Sequence, residues 1–161
     1  MESKARAFGH PIHPMLIPFP LGLLGTAVIF DVVGALADRP GLRRAAHPMI
    51  GAGIVSGVQA GVFGAVDWAS LPEGTRAKQV ATQHGLGNVA VLALFSLAWW
   101  LRREQPASPT GAALGLELAG LGGAAVTGWL GGELVSRLGV GIAKEAHLNA
   151  PSSLSGPNGC V

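Results

Sequence analysis

The run MLIPFPLGLLGTAVIFDVVGALA, residues 15–37, decides the fold class. Asp31 is its only charged side chain, and its length is close to the roughly 20 residues that cross a hydrocarbon core. The basic segment before it, MESKARAFGHPIHP, and the closing Ala35-Leu36-Ala37 superficially resemble a secretory signal with its cleavage site. An ordinary signal has an apolar region of only about 7 to 15 residues. The longer run therefore reads as a retained transmembrane helix.

Working outward from it, three more apolar stretches follow, at residues 46–69, 80–101 and 111–135. The breaks between the four, at 38–45, 70–79 and 102–110, are short enough to make sequential helices antiparallel neighbours. The expectation is an all-α integral membrane four-helix bundle of up-down topology, with both termini on the same side. Residues 1–14 read as a His/Pro entry segment, 15–137 as the membrane domain and 138–161 as a polar tail. Pro14, Pro18 and Pro20 crowd the start of the first span and predict an extended or kinked entry. Thr75 is the expected N-cap of the third helix.

Composition agrees with a lipid-facing chain. Hydrophobic residues make up 49% of the sequence and charged residues only 12%, too few to cover a water-facing surface. The formal charge is only +2, and the basic residues sit between apolar runs rather than in a stripe, which argues against nucleic acid as a partner. Cys160 is the one cysteine, so the sequence holds no CxxC pair and no internal disulfide. Trp68, Trp99, Trp100 and Trp129 all fall near predicted helix ends, where indoles favour the membrane interface.

Glycine supplies the packing signal. Gly57 with Gly61, Gly111 with Gly115, and Gly128 with Gly132 are GxxxG pairs, which let helices approach closely in lipid. The same glycines could instead make room for a flat cofactor. Orientation rests on basic residues: Arg39, Arg43, Arg44, Arg102 and Arg103 crowd two short loops on one side, called side B, against Lys4, Arg6, Arg76, Lys78, Arg137 and Lys144 on side A with the termini. The positive-inside rule weights short loops, so side B is expected to face the cytoplasm and the termini the opposite side of the membrane.

Ionisable groups inside spans are expensive and mark candidate sites. Side A collects His10, His13, Asp67, His84 and Glu133; side B collects Asp31, His47 and Glu117. Three chemistries are open to the side A group. His13 and His84 could be axial ligands of a b-type haem. His10, His13, Asp67, His84 and Glu133 could hold a divalent metal. The same residues could relay protons or ions without a metal. Simpler roles compete: a histidine at an interface is often only a hydrogen-bonding group, and Asp67 is placed to pair with Arg76, Lys78 or Arg137. On side B, Asp31 is expected to pair with Arg43 or Arg44, His47 before Pro48 fits a helix start, and Glu117 has no evident partner. No GxxxxGK[ST], GxSxG or HExxH motif occurs, so an enzyme is unsupported.

The opening HPIHPMLIPFPLG at residues 10–22, Asp31, the Asp67 and His84 pair, and GWLGGELV at 128–135 resemble the bacterial membrane family called domain of unknown function 2231. The resemblance covers roughly residues 8–142 and points to His10, His13, Asp67, His84 and Glu133. Some members of that family carry a Rieske-type iron-sulphur domain after the four helices, which implies redox work near side A. The short polar tail here would then leave the electron partner to another subunit. The leading expectation is a small electron-transfer subunit with a histidine-centred haem or metal site in a larger complex or homo-oligomer. The alternatives are an accessory subunit that packs against partner membrane proteins, and a small ion or metal transporter.

Overall fold

A computed structural model describes residues 1–153. A two-residue hairpin, β1 (Arg6–Ala7) and β2 (His10–Pro11), leads into α1 (Ile12–Leu16), α2 (Pro18–Leu36), α3 (Pro40–Ser70), α4 (Arg76–Leu101) and α5 (Gly111–Ser136). Four helical segments, Ile12–Leu36, Pro40–Ser70, Arg76–Leu101 and Gly111–Ser136, are long and apolar enough to cross a membrane. Cys160 lies outside the described residues.

The local chemistry explains the boundaries. Pro18 cannot donate a backbone hydrogen bond, and the helical rod is divided at Ile17 just before it, with Pro18 opening α2. The kinked entry expected from the prolines takes this form. Asp38 adopts φ 47° just beyond α2, and the Arg39 N–H bonds the Gly34 carbonyl at 2.8 Å, closing the helix with a left-handed residue. Thr75 and Thr110 cap α4 and α5, each hydroxyl accepting from a backbone N–H three residues on, Lys78 and Ala113, at 3.2 Å. The second span differs from its expected start. It begins at Pro40, a first-turn proline, so the arginine-rich stretch read as a loop is the first two turns of a helix, and Pro48 with His47 lies inside it.

Partners across the bundle join the ends in alternation. His13 at the start of the first span touches Ala60 late in α3, and His84 early in α4 touches Thr127 late in α5. Asp31 late in α2 meets Arg102 just past α4 and, through it, Glu117 early in α5. These contacts fit successive spans running in opposite directions. The amino terminus meets the segment just after α5: the Met1 ammonium donates to the Gly139 carbonyl at 2.9 Å and the Gly141 N–H donates to the Met1 carbonyl at 2.7 Å.

The core is small and the outside is large. Leu24, Val28, Ile50, Val91 and Phe95 form the buried apolar cluster, while Ile29, Val55, Val62, Leu86, Val89 and Val126 face outward on the spans. In water such a surface would aggregate; in a bilayer it is the solvated face. Glycines fit the helices together, though of the GxxxG positions only Gly57 takes part. A methyl group on Gly57 would lie 2.7 Å from Leu92, so Gly57 is a close-approach site. Gly61, Gly128 and Gly132 have no heavy atom of the described residues within 4 Å on that side. Gly53, Gly87, Gly120 and Gly123 do the close packing instead, against Leu24, Thr127, Phe95 and Val91.

Candidate functional site

Two polar centres lie inside the spans, one towards each end. The first is built on His13 and His84, whose rings stand edge to face with centroids 6.2 Å apart. The Nδ1–H of His13 donates to the Ala60 carbonyl at 2.8 Å, and the Nδ1–H of His84 donates to the Thr127 carbonyl at 2.8 Å. Because a carbonyl only accepts, both Nδ1 atoms carry the hydrogen, a tautomer assigned from the network. The Asn88 amide then donates to His84 Nε2 at 3.0 Å and accepts at Oδ1 from the Thr127 hydroxyl at 2.9 Å. Asn88 stands at the centre of α4, so this chain of polar groups reaches the middle of the span rather than one membrane face. Small residues make the space: a methyl on Gly64 would sit 3.0 Å from His13 Nδ1, and one on Gly131 3.2 Å from His84 Cε1.

The other three side A residues are drawn elsewhere. Asp67 Oδ1 accepts from the Ser3 hydroxyl at 2.7 Å and the Lys4 N–H at 3.0 Å, not from the bases expected to pair with it. Glu133 is bound by Arg76 Nη2 at 2.6 Å, and His10 Nε2 lies 3.1 Å from the Ser153 hydroxyl out on the hairpin. The five-residue donor set therefore does not assemble. Among the described residues no group of three or more His, Cys, Asp or Glu side chains is placed to hold a metal. The physical reason is competition, since each carboxylate already has a cation or N–H donor within reach. A bis-histidine haem fits the pair poorly as well: both ring nitrogens of His84 are engaged in hydrogen bonds.

This network has the character of helix fastening, and it can be tested as such. Asn88→Leu removes two interhelical or ring hydrogen bonds at once. Such bonds in lipid contribute about 0.6 kcal/mol on average and up to about 1.7. The unfolding free energy in detergent, followed by circular dichroism, is expected to fall by about 1–2 kcal/mol.

The second centre is legible in the sequence only in part. The Arg102 guanidinium is fully enclosed and its fork grips Asp31, with Nη2 donating to Oδ1 at 2.8 Å and Nη1 to Oδ2. Nη1 also donates to Glu117 Oε1 at 2.9 Å, and Nη2 to the carbonyls of Arg43 and Pro106 at 2.7 and 2.8 Å. Asp31 is thus held by Arg102, not by the side chains of Arg43 or Arg44; Arg43 turns to Asp38 at 3.6 Å. His47 stacks flat on Trp99, centroids 5.2 Å apart, so Trp99 is a partner within the bundle as well as an interfacial indole. Arg102 read as a loop charge because it follows an apolar run. The signal that would have found it is depth: on an antiparallel path Asp31, Arg102 and Glu117 fall at one level.

A family model described as "Predicted membrane protein (DUF2231)" matches residues 9–144, which contain both centres. No curated protein and no solved structure matches the chain.

Proposed function

We propose that this chain, which belongs to the family of predicted membrane proteins called domain of unknown function 2231, serves as an accessory membrane subunit that packs against a transmembrane helix of a partner subunit. The observation that carries the reading is the outer face of α5. Gly111, Gly115, Leu118, Gly122 and Trp129 follow one another at spacings that place them on one side of a helix, opposite the buried Ala113, Glu117, Gly120 and Thr127. The three glycines of that line have no heavy atom within 4 Å on their open side. A helix that met only lipid would gain nothing from glycine there and would lose about 0.5–1 kcal/mol per residue relative to alanine. A second helix lying along the groove offsets that loss through close backbone packing.

The polar centres support the same reading from the other direction, since most of their hydrogen-bonding groups are used to tie the helices together. Gly115→Leu and Gly122→Leu are the discriminating variants, because the added side chains project into open space and leave the bundle itself undisturbed. Cross-linking in native membranes is expected to trap a complex with the unmodified chain and to lose it with either variant, while the melting temperature of the purified chain stays the same. The mass of the product tells a second copy from a different subunit. A chain that cross-links to nothing, or variants that cross-link as well as the parent, would overturn the proposal.

A further inference from the structure

At the arginine-rich end of the bundle, one guanidinium serves two carboxyl groups in a space closed to solvent. The side chains of Arg102, Asp31 and Glu117 are each 0% exposed. Asp31 takes both prongs of the fork, whereas Glu117 receives only a share of Nη1 through Oε1, and its Oε2 is buried with no hydrogen-bond donor among the described residues. The neighbouring charges do not alter the balance. From α3, Arg43 is paired with the exposed Asp38, Arg44 is exposed, and His47 lies against Trp99; Arg39, just before it, is exposed. Beyond α4, Arg103 turns outward to Trp100 and Glu104. The enclosed volume therefore holds one fixed positive charge and two carboxyls.

Arginine does not give up its proton, so the guanidinium stays charged. A second carboxylate beside it would be a buried ion without a counter-ion, which is strongly unfavourable in a low-dielectric environment. Two acids that share one site relieve this by keeping a single proton between them. The hydrogen bonds say where: the carboxylate with both oxygens in the fork is the better charged partner, and the one with an idle buried oxygen is the place for the proton.

We propose that Arg102, Asp31 and Glu117 form a proton-binding site in the membrane end of the bundle, with the proton on Glu117 Oε2 and Asp31 ionised against the guanidinium. The bound species is H⁺ drawn from water at that face. Its release leaves an extra negative charge at the joint of α2, α4 and α5, so this joint responds to proton activity on one side of the membrane.

Infrared spectroscopy of the detergent-purified full chain near neutral pH reads the site directly. The parent is expected to show a protonated carboxyl C=O band that shifts in D₂O, persists in Glu104→Gln and vanishes in Glu117→Gln. The band is also expected to vanish in Asp31→Asn, where a single carboxylate has the guanidinium to itself. Heavy-carbon labelling of glutamate in the parent should move the band without any substitution, which keeps the test valid if a variant fails to fold. A folded parent without the band, a band that moves only on aspartate labelling, or a band that survives in Glu117→Gln would overturn the assignment. Survival in folded Asp31→Asn would overturn the sharing.

Discussion

Arg102→Met is expected to be the most damaging single substitution in the chain. It strips two enclosed carboxyls of their counter-ion and leaves the carbonyls of Arg43 and Pro106 without the donor they now share. Removing one partner of a buried ion pair costs about 3–5 kcal/mol, because the uncompensated charge stays behind. The loss should be greater in alkaline than in mildly acidic detergent solution, since at lower pH both carboxyls can take up protons and hydrogen-bond each other. A triple variant, Asp31→Leu with Arg102→Met and Glu117→Met, removes the whole set and should recover most of the stability, as apolar replacement of a buried ionic triad often does. Chemical denaturation of the three proteins decides the matter. A single Arg102→Met variant as stable as the parent would show that the cluster does not hold the helices.

The same cluster shows where sequence reading reached and where it stopped. The four spans were legible because lipid imposes length and apolarity on each of them separately, and Thr75 was legible as a cap because capping is local. Asp31 and Glu117 stood out as charges within apolar runs, but their shared partner did not. Arg102 sits where a flanking arginine is ordinarily expected, and only the closure of α2, α4 and α5 around it removes it from solvent. The hidden start of α3 has a related cause: Arg43 and Arg44 look like loop residues until Pro40 is seen to open a helix. On the other side, proximity in depth does not amount to proximity in space. His13 and His84 do meet, yet Asp67 is captured by Ser3 and Lys4 and Glu133 by Arg76, contacts that depend on how the amino-terminal segment folds over the bundle and how α4 lies against α5. Glycine spacing carries no direction either. GxxxG marks a surface for close approach, and only the rotation of each helix shows whether it faces its own bundle, as Gly57 does, or away from it, as Gly61, Gly128 and Gly132 do.

That rotation leads to the second large effect, at Gly120. A methyl group there would lie 2.7 Å from Cε2 of Phe95, 2.9 Å from Cδ2 and 3.3 Å from Cζ, all atoms of one rigid ring. Phe95 is fully buried among Leu24, Val28, Ile50 and Val91, so the ring cannot retreat without moving the helices that hold it. Gly120→Ala is therefore expected to destabilise the bundle by about 1–3 kcal/mol, the range for overpacking, even though alanine is the better helix former. Gly122→Ala, two residues on and facing open space, should be neutral or slightly stabilising in the isolated chain. Phe95→Leu costs stability in the parent but removes the ring edge that the new methyl meets. Combined with Gly120→Ala it should cost less than the sum of the two single changes, a coupling readable in a double-mutant cycle of unfolding free energies. Additive effects would mean that α4 and α5 do not press together at this point, and that the inward face of α5, together with the outward one defined against it, is wrongly drawn.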